Sequence, residues 1–352
     1  MVSRMGVVRP VRDDFGEATM GLQNTTLLRH VLTRKGTRVS AGDLALILER
    51  IEVIGKRIAH ELARSSIRGE LGLTGETNVQ GEEVKKLDEW TNWVFLDSFE
   101  GGDPICTLIS EEMENAEHRA GTCPSNGYAI LFDPLDGSSN TDINGSLGTI
   151  FSIRKRSPNH RESIEDILRP GDEQVAAGYI LYGPGTQLAY TAGAGVDIFT
   201  LDPLIDQFVL WRENVQMPPR GKAYSVNQGN IGKFHPGVRN LIEHLTSRKD
   251  KLTSYSLRYT GAFVADFHRC LLEGGLFMYP GEVTPDGKSK GKLRLMYELD
   301  PMSFIAEEAG GKASNGKGRL LAVTPTGLHD RQPVYIGSAA EVEMAEQMQV
   351  EG

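Results

Sequence analysis

Residues 128–140 read Tyr128-Ala129-Ile130-Leu131-Phe132-Asp133-Pro134-Leu135-Asp136-Gly137-Ser138-Ser139-Asn140, and this stretch decides how the chain is interpreted. Tyr128 to Phe132 is a short apolar run with the length and composition of a buried strand. Two carboxylates follow, Asp133 and Asp136, with Pro134 between them and expected to stop the strand. Gly137, Ser138 and Ser139 come next, small residues whose backbone N–H groups can approach an anion. Asp-Gly alone is ordinary turn chemistry. Two acids directly off an apolar strand are a different matter, because buried unpaired carboxylates are costly. Carboxylates suit a hard cation and the glycine-serine turn suits a phosphate. Side by side they describe a metal-assisted phosphoryl-transfer site.

Other acids sit in comparable places. Ser110-Glu111-Glu112 ends a second apolar run, Ile105 to Ile109. If these residues are extended, Glu111 and Glu112 point to opposite sides and can serve two groups, one a metal and one a water. Glu298 follows Leu293 to Tyr297, read as another strand. Ligands collect beyond the strand ends of open α/β sheets. Glu111, Asp133, Asp136 and Glu298 are therefore candidate oxygen ligands for two or more Mg²⁺ ions, which in paired sites lie roughly 3.5–4 Å apart. Lys292 and Arg294, two residues apart on one strand face, are candidate readers of a second phosphate. Tyr259, beside Arg258, and Tyr279 add hydroxyl donors.

Composition sets the frame. A chain of 352 residues suggests two domains of about 150–200 residues each. With 39% hydrophobic and 24% charged residues, both halves can build a core. The net charge of −9 and the lack of a Lys/Arg block argue against nucleic acid as the main partner. An acidic protein with an anionic substrate needs metal or a local basic cluster. Cys106, Cys123 and Cys270 fit neither a disulfide framework nor a zinc motif and are expected to be reduced thiols. Met1 to Phe15 lacks the apolar core of a signal peptide, and no run is long enough to span a membrane. The expected setting is soluble and cytoplasmic.

Along the chain, Thr25 to Lys35 reads as a short helix, and Ser40 as the cap of a long one with Asp43 in the capping-box position. Four glycines punctuate Ser65 to Gly81, which reads as a functional loop, and Glu82 to Phe99 reads as a helix. Strands are expected at 105–109, 128–132, 149–153, 175–181, 187–192 and 196–201. Met217-Pro218-Pro219 breaks the pattern, which places the boundary between domains 1–216 and 217–352. The second half reads strand 222–227, helix 236–246, helix 261–273, strand 276–279, strand 293–297, helix 301–309, strand 334–337 and a last helix from Ala339. Such alternation predicts a layered α/β sandwich.

With these motifs in hand, the chain resembles class I fructose-1,6-bisphosphatases, within the Mg²⁺-dependent, Li⁺-sensitive phosphatase superfamily. The resemblance runs from about Thr25 to about Ser338. It is carried by Thr77-Asn78-Val79, Val84-Lys85-Lys86-Leu87-Asp88, Ser110-Glu111-Glu112, Asp133 to Asn140 and Ala176-Ala177-Gly178-Tyr179. Arg258-Tyr259, Phe277-Met278-Tyr279-Pro280 and Gly291 to Glu298 continue it in the same order. The resemblance implies a five-layer αβαβα sandwich and hydrolysis of fructose 1,6-bisphosphate with two or three Mg²⁺ ions per subunit, or Mn²⁺. It implies metal ligation by Glu111, Asp133, Asp136, Glu298 and the Leu135 carbonyl. Asp136, Gly137, Ser138 and Ser139 would hold the phosphate being cleaved. Asn227, Tyr259, Tyr279, Lys292 and Arg294 would read the sugar and its other phosphate. Arg258 would reach the site of a neighbouring subunit, in a homotetramer. Asp88 and Glu112 would handle the proton of the attacking water, with Glu82 replacing an Asp usual in the family. Departures fall in the region where animal members bind AMP: Ala45 stands for a threonine, Gly127 for a lysine and Lys155 for an arginine, while Tyr128 is kept. The tyrosine usual in the family just after an Asn-Glu-Gly stretch is also missing, since this chain reads Asn227-Gln228-Gly229-Asn230-Ile231. Rival readings are a dual fructose/sedoheptulose bisphosphatase, an inositol or nucleotide phosphatase and an inactive sugar-phosphate sensor. Gluconeogenesis and the reductive pentose phosphate (Calvin) cycle are the settings implied.

Overall fold

The computed structural model describes residues 25–68, 72–77, 83–99, 104–119, 127–157, 163–247, 254–285, 289–348 and 350. Eight helices are used below: α1 (Leu27–Thr33), α2 (Ala41–Leu62), α3 (Ser65–Arg68), α4 (Lys86–Ser98), α5 (Pro236–Thr246), α6 (Phe263–Glu273), α7 (Asp300–Glu308) and α8 (Ala339–Gln347).

The apolar runs of the first half form one eight-stranded sheet. Its order is Gln207–Arg212, Val196–Asp202, Thr186–Thr191, Ala176–Tyr182, Leu147–Lys155, Tyr128–Asp136, Ile105–Ser110 and Glu117–His118. Only Ile105–Ser110 and Tyr128–Asp136 pair in parallel within it. The near-continuous apolar character of Tyr128–Asp136 follows from burial along its whole length. A five-stranded sheet gathers Ser256–Leu257, Ala223–Ser225, Leu276–Tyr279, Val334–Gly337 and Lys312–Ser314, in that order.

Three buried clusters stack these elements into the expected five-layer αβαβα sandwich. One face of the large sheet meets the Leu44, Ile47, Ile51, Ile54 and Ile58 stripe of α2, with α1 and α4 beside it. Its other face packs on α6 and α7, which also touch the smaller sheet. The far side of the smaller sheet is covered by α5 and α8 through Leu241, Leu245, Val342 and Ala345. The cap of α2 forms as read: the Ser40 hydroxyl accepts the Asp43 N–H at 3.1 Å.

Four local readings need correction. Pro134 does not end its strand, which runs on to Asp136 through an irregular register between Asp133 and Asp136. The missing N–H is tolerated because the register is already broken there. Helix α4 begins at Lys86, not Glu82, after a short strand Glu83–Lys85 that pairs with Leu73–Thr77, inside the segment expected to be loop. Leu293 to Tyr297 is not a strand: only Leu293–Arg294 is extended, and Leu295–Leu299 forms a π-helical turn that leads straight into α7. A short apolar run cannot distinguish a buried strand from a buried helical turn. Finally, Cys106 is disulfide-bonded, whereas Cys270 is a buried free thiol. The expectation of three reduced cysteines fails at Cys106, and Cys123 lies outside the described residues. Among the described residues, no helix is long and apolar enough to cross a membrane.

Candidate active site

The strand ends of the large sheet, the N-terminus of α6 and the π-helical turn converge on a cavity of about 530 Å³. Asp88, Glu111, Glu112, Asp133, Leu135 and Asp136 line one side, and Gly137, Ser138 and Ser139 continue it. Asn227, Tyr259, Tyr279, Lys292, Arg294 and Glu298 line the other. Two further residues of the expected set are not among these. Arg258 lines a separate cavity, and Glu82 lies outside the described residues.

Each acid is held by backbone geometry. Asp133 accepts the Leu135 N–H at 3.0 Å, a tight loop allowed by the break at Pro134. Asp136 accepts the N–H groups of Phe263 at 3.1 Å and Val264 at 2.7 Å, so its carboxylate caps the start of α6. Glu298 accepts the Arg294 N–H at 2.5 Å across the π-helical turn. Glu111 and Glu112 lie in the turn after Ile105–Ser110, so both reach the cavity instead of pointing apart. One oxygen each of Asp133, Asp136 and Glu298 lies within 4.8 Å of the others.

Burial shapes their charge. It pushes the Asp133 and Glu111 carboxyls well above the usual range, with neighbouring acids adding to the effect. The Arg294 guanidinium opposes this at Glu111. Burial raises Asp136 to about 7 against the two helix N–H groups that lower it. A buried, convergent, all-oxygen cluster that repels itself fits a hard divalent cation, which offsets the charge and needs the deprotonated ligands. A second group, His30, Asp197 and Glu213, is also close-set. There Arg34 already lies 2.8 Å from Glu213 and 3.4 Å from Asp197, which makes it an ion-pair cluster.

The turn after Asp136 is the candidate phosphate-binding part. Gly137 has φ 77°, and a Cβ there would lie 2.6 Å from the Ala262 Cβ, so only glycine fits. Ser138–Ile143 then makes a 3₁₀ turn, the Asn140 amide tying it to the carbonyls of Ser146 and Thr260 at 3.1 Å each. Asp88, at the first turn of α4, is raised to about 7 by burial first and by Glu112 second.

Sequence reasoning missed the segment 260–266 as a wall of this site. Asp266, nearly fully buried, holds the Thr260 N–H with both oxygens at 3.1 Å. The bond from α6 to Asp136 spans 127 and 128 positions, and no local pattern signals it.

A mixed, largely antiparallel α/β sheet with buried acids at its strand ends and a glycine-serine turn beside them has the features of a cation-assisted phosphoester hydrolase class. Comparisons narrow it further. Residues 25–213 match the family model "Fructose-1-6-bisphosphatase, N-terminal domain", and 217–350 match "Fructose-1-6-bisphosphatase, C-terminal domain". The chain is 46% identical over 326 residues to the class 1 fructose-1,6-bisphosphatase of Synechocystis sp., covering 92% of each. It is 45% identical over 325 residues to that of Synechococcus elongatus, again covering 92% of each. The holo crystal structure of the Leishmania major fructose-1,6-bisphosphatase superposes with a TM-score of 0.85 at 38% identity, covering 92% of this chain and 98% of that one. The chain belongs to the fructose-1,6-bisphosphatase family.

Proposed function

We propose that this chain hydrolyses D-fructose 1,6-bisphosphate at its 1-phosphate, giving fructose 6-phosphate and phosphate. The observation that carries this reading is the single cavity in which an acid cluster, an anion-binding turn and the Lys292–Arg294 pair face one another. The names of the relatives support the substrate.

Glu111, Asp133, Asp136, Glu298 and the Leu135 carbonyl are the residues that would hold Mg²⁺, two or three ions per subunit, or Mn²⁺ in its place. Such ions supply Lewis-acid charge compensation and a more acidic water. The chain's own residues do the rest. The N–H groups and hydroxyls of Gly137, Ser138 and Ser139 hold the phosphate that leaves. Lys292 and Arg294 anchor the other phosphate, and Asn227, Tyr259 and Tyr279 orient the sugar for in-line attack. Asp88, poised at about 7, takes the proton of the attacking water. Glu112, whose charge raises that value, keeps Asp88 basic enough to accept it.

Arg258 lies outside this cavity, on an exposed face, which suits a role in a neighbouring subunit's site and a homotetramer. A two-domain division near 216/217 belongs to the same reading; the two family models stop and start on either side of it. The cyanobacterial relatives make carbon fixation as natural a setting as gluconeogenesis.

The test is kcat/KM for fructose 1,6-bisphosphate against sedoheptulose 1,7-bisphosphate in Mg²⁺, with Asp133→Asn alongside. Preference for the six-carbon sugar and loss of turnover in the folded variant are expected. Equal efficiency on both sugars would replace the reading with a dual-specificity enzyme, and binding without turnover would replace it with a sensor.

A further inference from the structure

A second cavity, of about 610 Å³, opens at the edge of the smaller sheet, away from the acids. Arg220 and Lys222 stand on one wall, Tyr255 and Arg258 on the next, and Arg269 and Glu273 on α6. The two strand walls are zipped together, the Ser256 N–H donating to the Lys222 carbonyl at 2.9 Å. Among the described residues, four cations thus face a single lining carboxylate. That carboxylate is already engaged, since Glu273 lies 3.4 Å from Arg269.

Among the described residues, no carboxylate forms an ion pair with Arg220, Lys222 or Arg258. Among the described residues, the Arg258 guanidinium donates to the Leu257 carbonyl alone, at 2.8 Å. Behind the wall, one oxygen of buried Glu341 accepts the Tyr255 hydroxyl at 2.5 Å and the Gly221 N–H at 3.1 Å. On a chain of net charge −9, a concave surface with this local excess of positive charge attracts and concentrates anions. Its volume suits a small ligand, and guanidinium forks match phosphate or carboxylate oxygens. Among the described residues Tyr255 is the only aromatic side chain of the lining, and its hydroxyl is committed, so those residues offer no open stacking slot for a base.

We propose that this cavity binds a small metabolite carrying at least two anionic groups, bridged between Arg220 and Lys222 on the sheet edge and Arg269 on α6. Phosphates and carboxylates share the required chemistry. Arg258 faces the same space, so occupation draws its guanidinium inward. Where Arg258 serves a neighbouring active site, as proposed above, the bound anion raises the substrate KM.

Binding itself is measured independently of catalysis. Calorimetric titration of the metal-free full-length protein with pyrophosphate and, separately, citrate distinguishes the two anion chemistries. The double variant R220E/K222E, whose two residues are exposed, is expected to weaken the cavity component about a hundredfold, the loss of two charge-assisted contacts. Arg269→Glu provides a second route to the same loss, and Lys292→Ala leaves the component intact. Binding of both probes that is insensitive to R220E/K222E and to Arg269→Glu but lost in Lys292→Ala would overturn the proposal. Absence of any binding by either probe at millimolar concentration would do the same. An unchanged KM with intact cavity binding would instead count against the role of Arg258.

Discussion

Arg294 and Glu111 form a buried ion pair, Nη1 to Oε1 at 2.5 Å, and so join a candidate substrate reader to a candidate metal ligand. The guanidinium opposes the burial that drives Glu111 toward its neutral form. Arg294→Met leaves an uncompensated acid in a dry site, which costs about 3–5 kcal/mol in the metal-free protein. Mg²⁺ then has one less positive neighbour. Thermal melts should show a large loss without Mg²⁺ and partial recovery with it, while the substrate KM rises more than about tenfold. A KM equal to wild type refutes the reading.

Proton release should accompany metal binding. Asp136 sits at about 7 in the metal-free fold, above its ordinary 3.8, with burial the first cause. A raised folded value means that the native state binds more protons than the unfolded chain between 3.8 and about 7. This contribution to stability is present at the acid end and is lost as pH rises through that window. A divalent cation needs the deprotonated form, so its affinity moves the opposite way and strengthens toward pH 7. Calorimetry in buffers of different ionisation enthalpy reads the released protons. No buffer dependence would show the acids already ionised.

Arg154 and Asp300 make a second buried pair, at 2.6 Å, between the large sheet and the head of α7. Arg154 also donates to the Arg169 carbonyl at 2.6 Å, and the Gln174 amide reaches the Asp300 carbonyl at 2.8 Å. Asp300→Leu strands a buried guanidinium and should cost about 3–5 kcal/mol. Arg154→Met with Asp300→Leu should restore most of that loss. Because Asp300 follows Glu298 by two positions, the single variant should also raise the Mg²⁺ concentration for half-maximal activity. Denaturant melts and Mg²⁺ titrations of the three variants decide it, and a double variant as unstable as the single one excludes the clasp.

AMP should inhibit weakly at the position used by animal relatives. The Tyr128 hydroxyl is engaged with Asp43 at 3.2 Å, and burial raises it to about 12. Ala45 is buried and offers no hydroxyl, and Gly127 offers no charge. Losing one charge-assisted and one neutral bond removes about 2–4 kcal/mol, or roughly thirty- to a thousand-fold in affinity. AMP titration at saturating Mg²⁺ checks this. Low-micromolar inhibition abolished by Tyr128→Ala would mean that other residues rebuild the site.

The sequence was most readable where chemistry and local period coincide. The α2 stripe and its Ser40 cap, and the run from Tyr128 to Asn140, depend on neighbours in sequence. Period and turn chemistry capture such neighbours. The candidate site residues were legible as types, acids and a glycine-serine turn, and among the described residues all but Arg258 share one cavity. What escaped was set by distant partners. Leu295 to Leu299 turns helically because every side chain in it is buried between α7 and the large sheet. Asp136 lies at the head of α6 because of a contact that only the finished fold brings together.

That last contact makes one carboxylate a mechanical link. Its side chain grips a helix of the middle layer while its backbone ends a strand of the large sheet. The helix in turn touches the smaller sheet. Slippage between the two sheets is therefore felt at a candidate cation ligand, where a misplacement of about 1 Å is enough to lower a rate by two orders of magnitude. The enzyme's rate is thereby geared to the alignment of its layers, and an agent that tilts one sheet against the other acts as a throttle without entering the cavity.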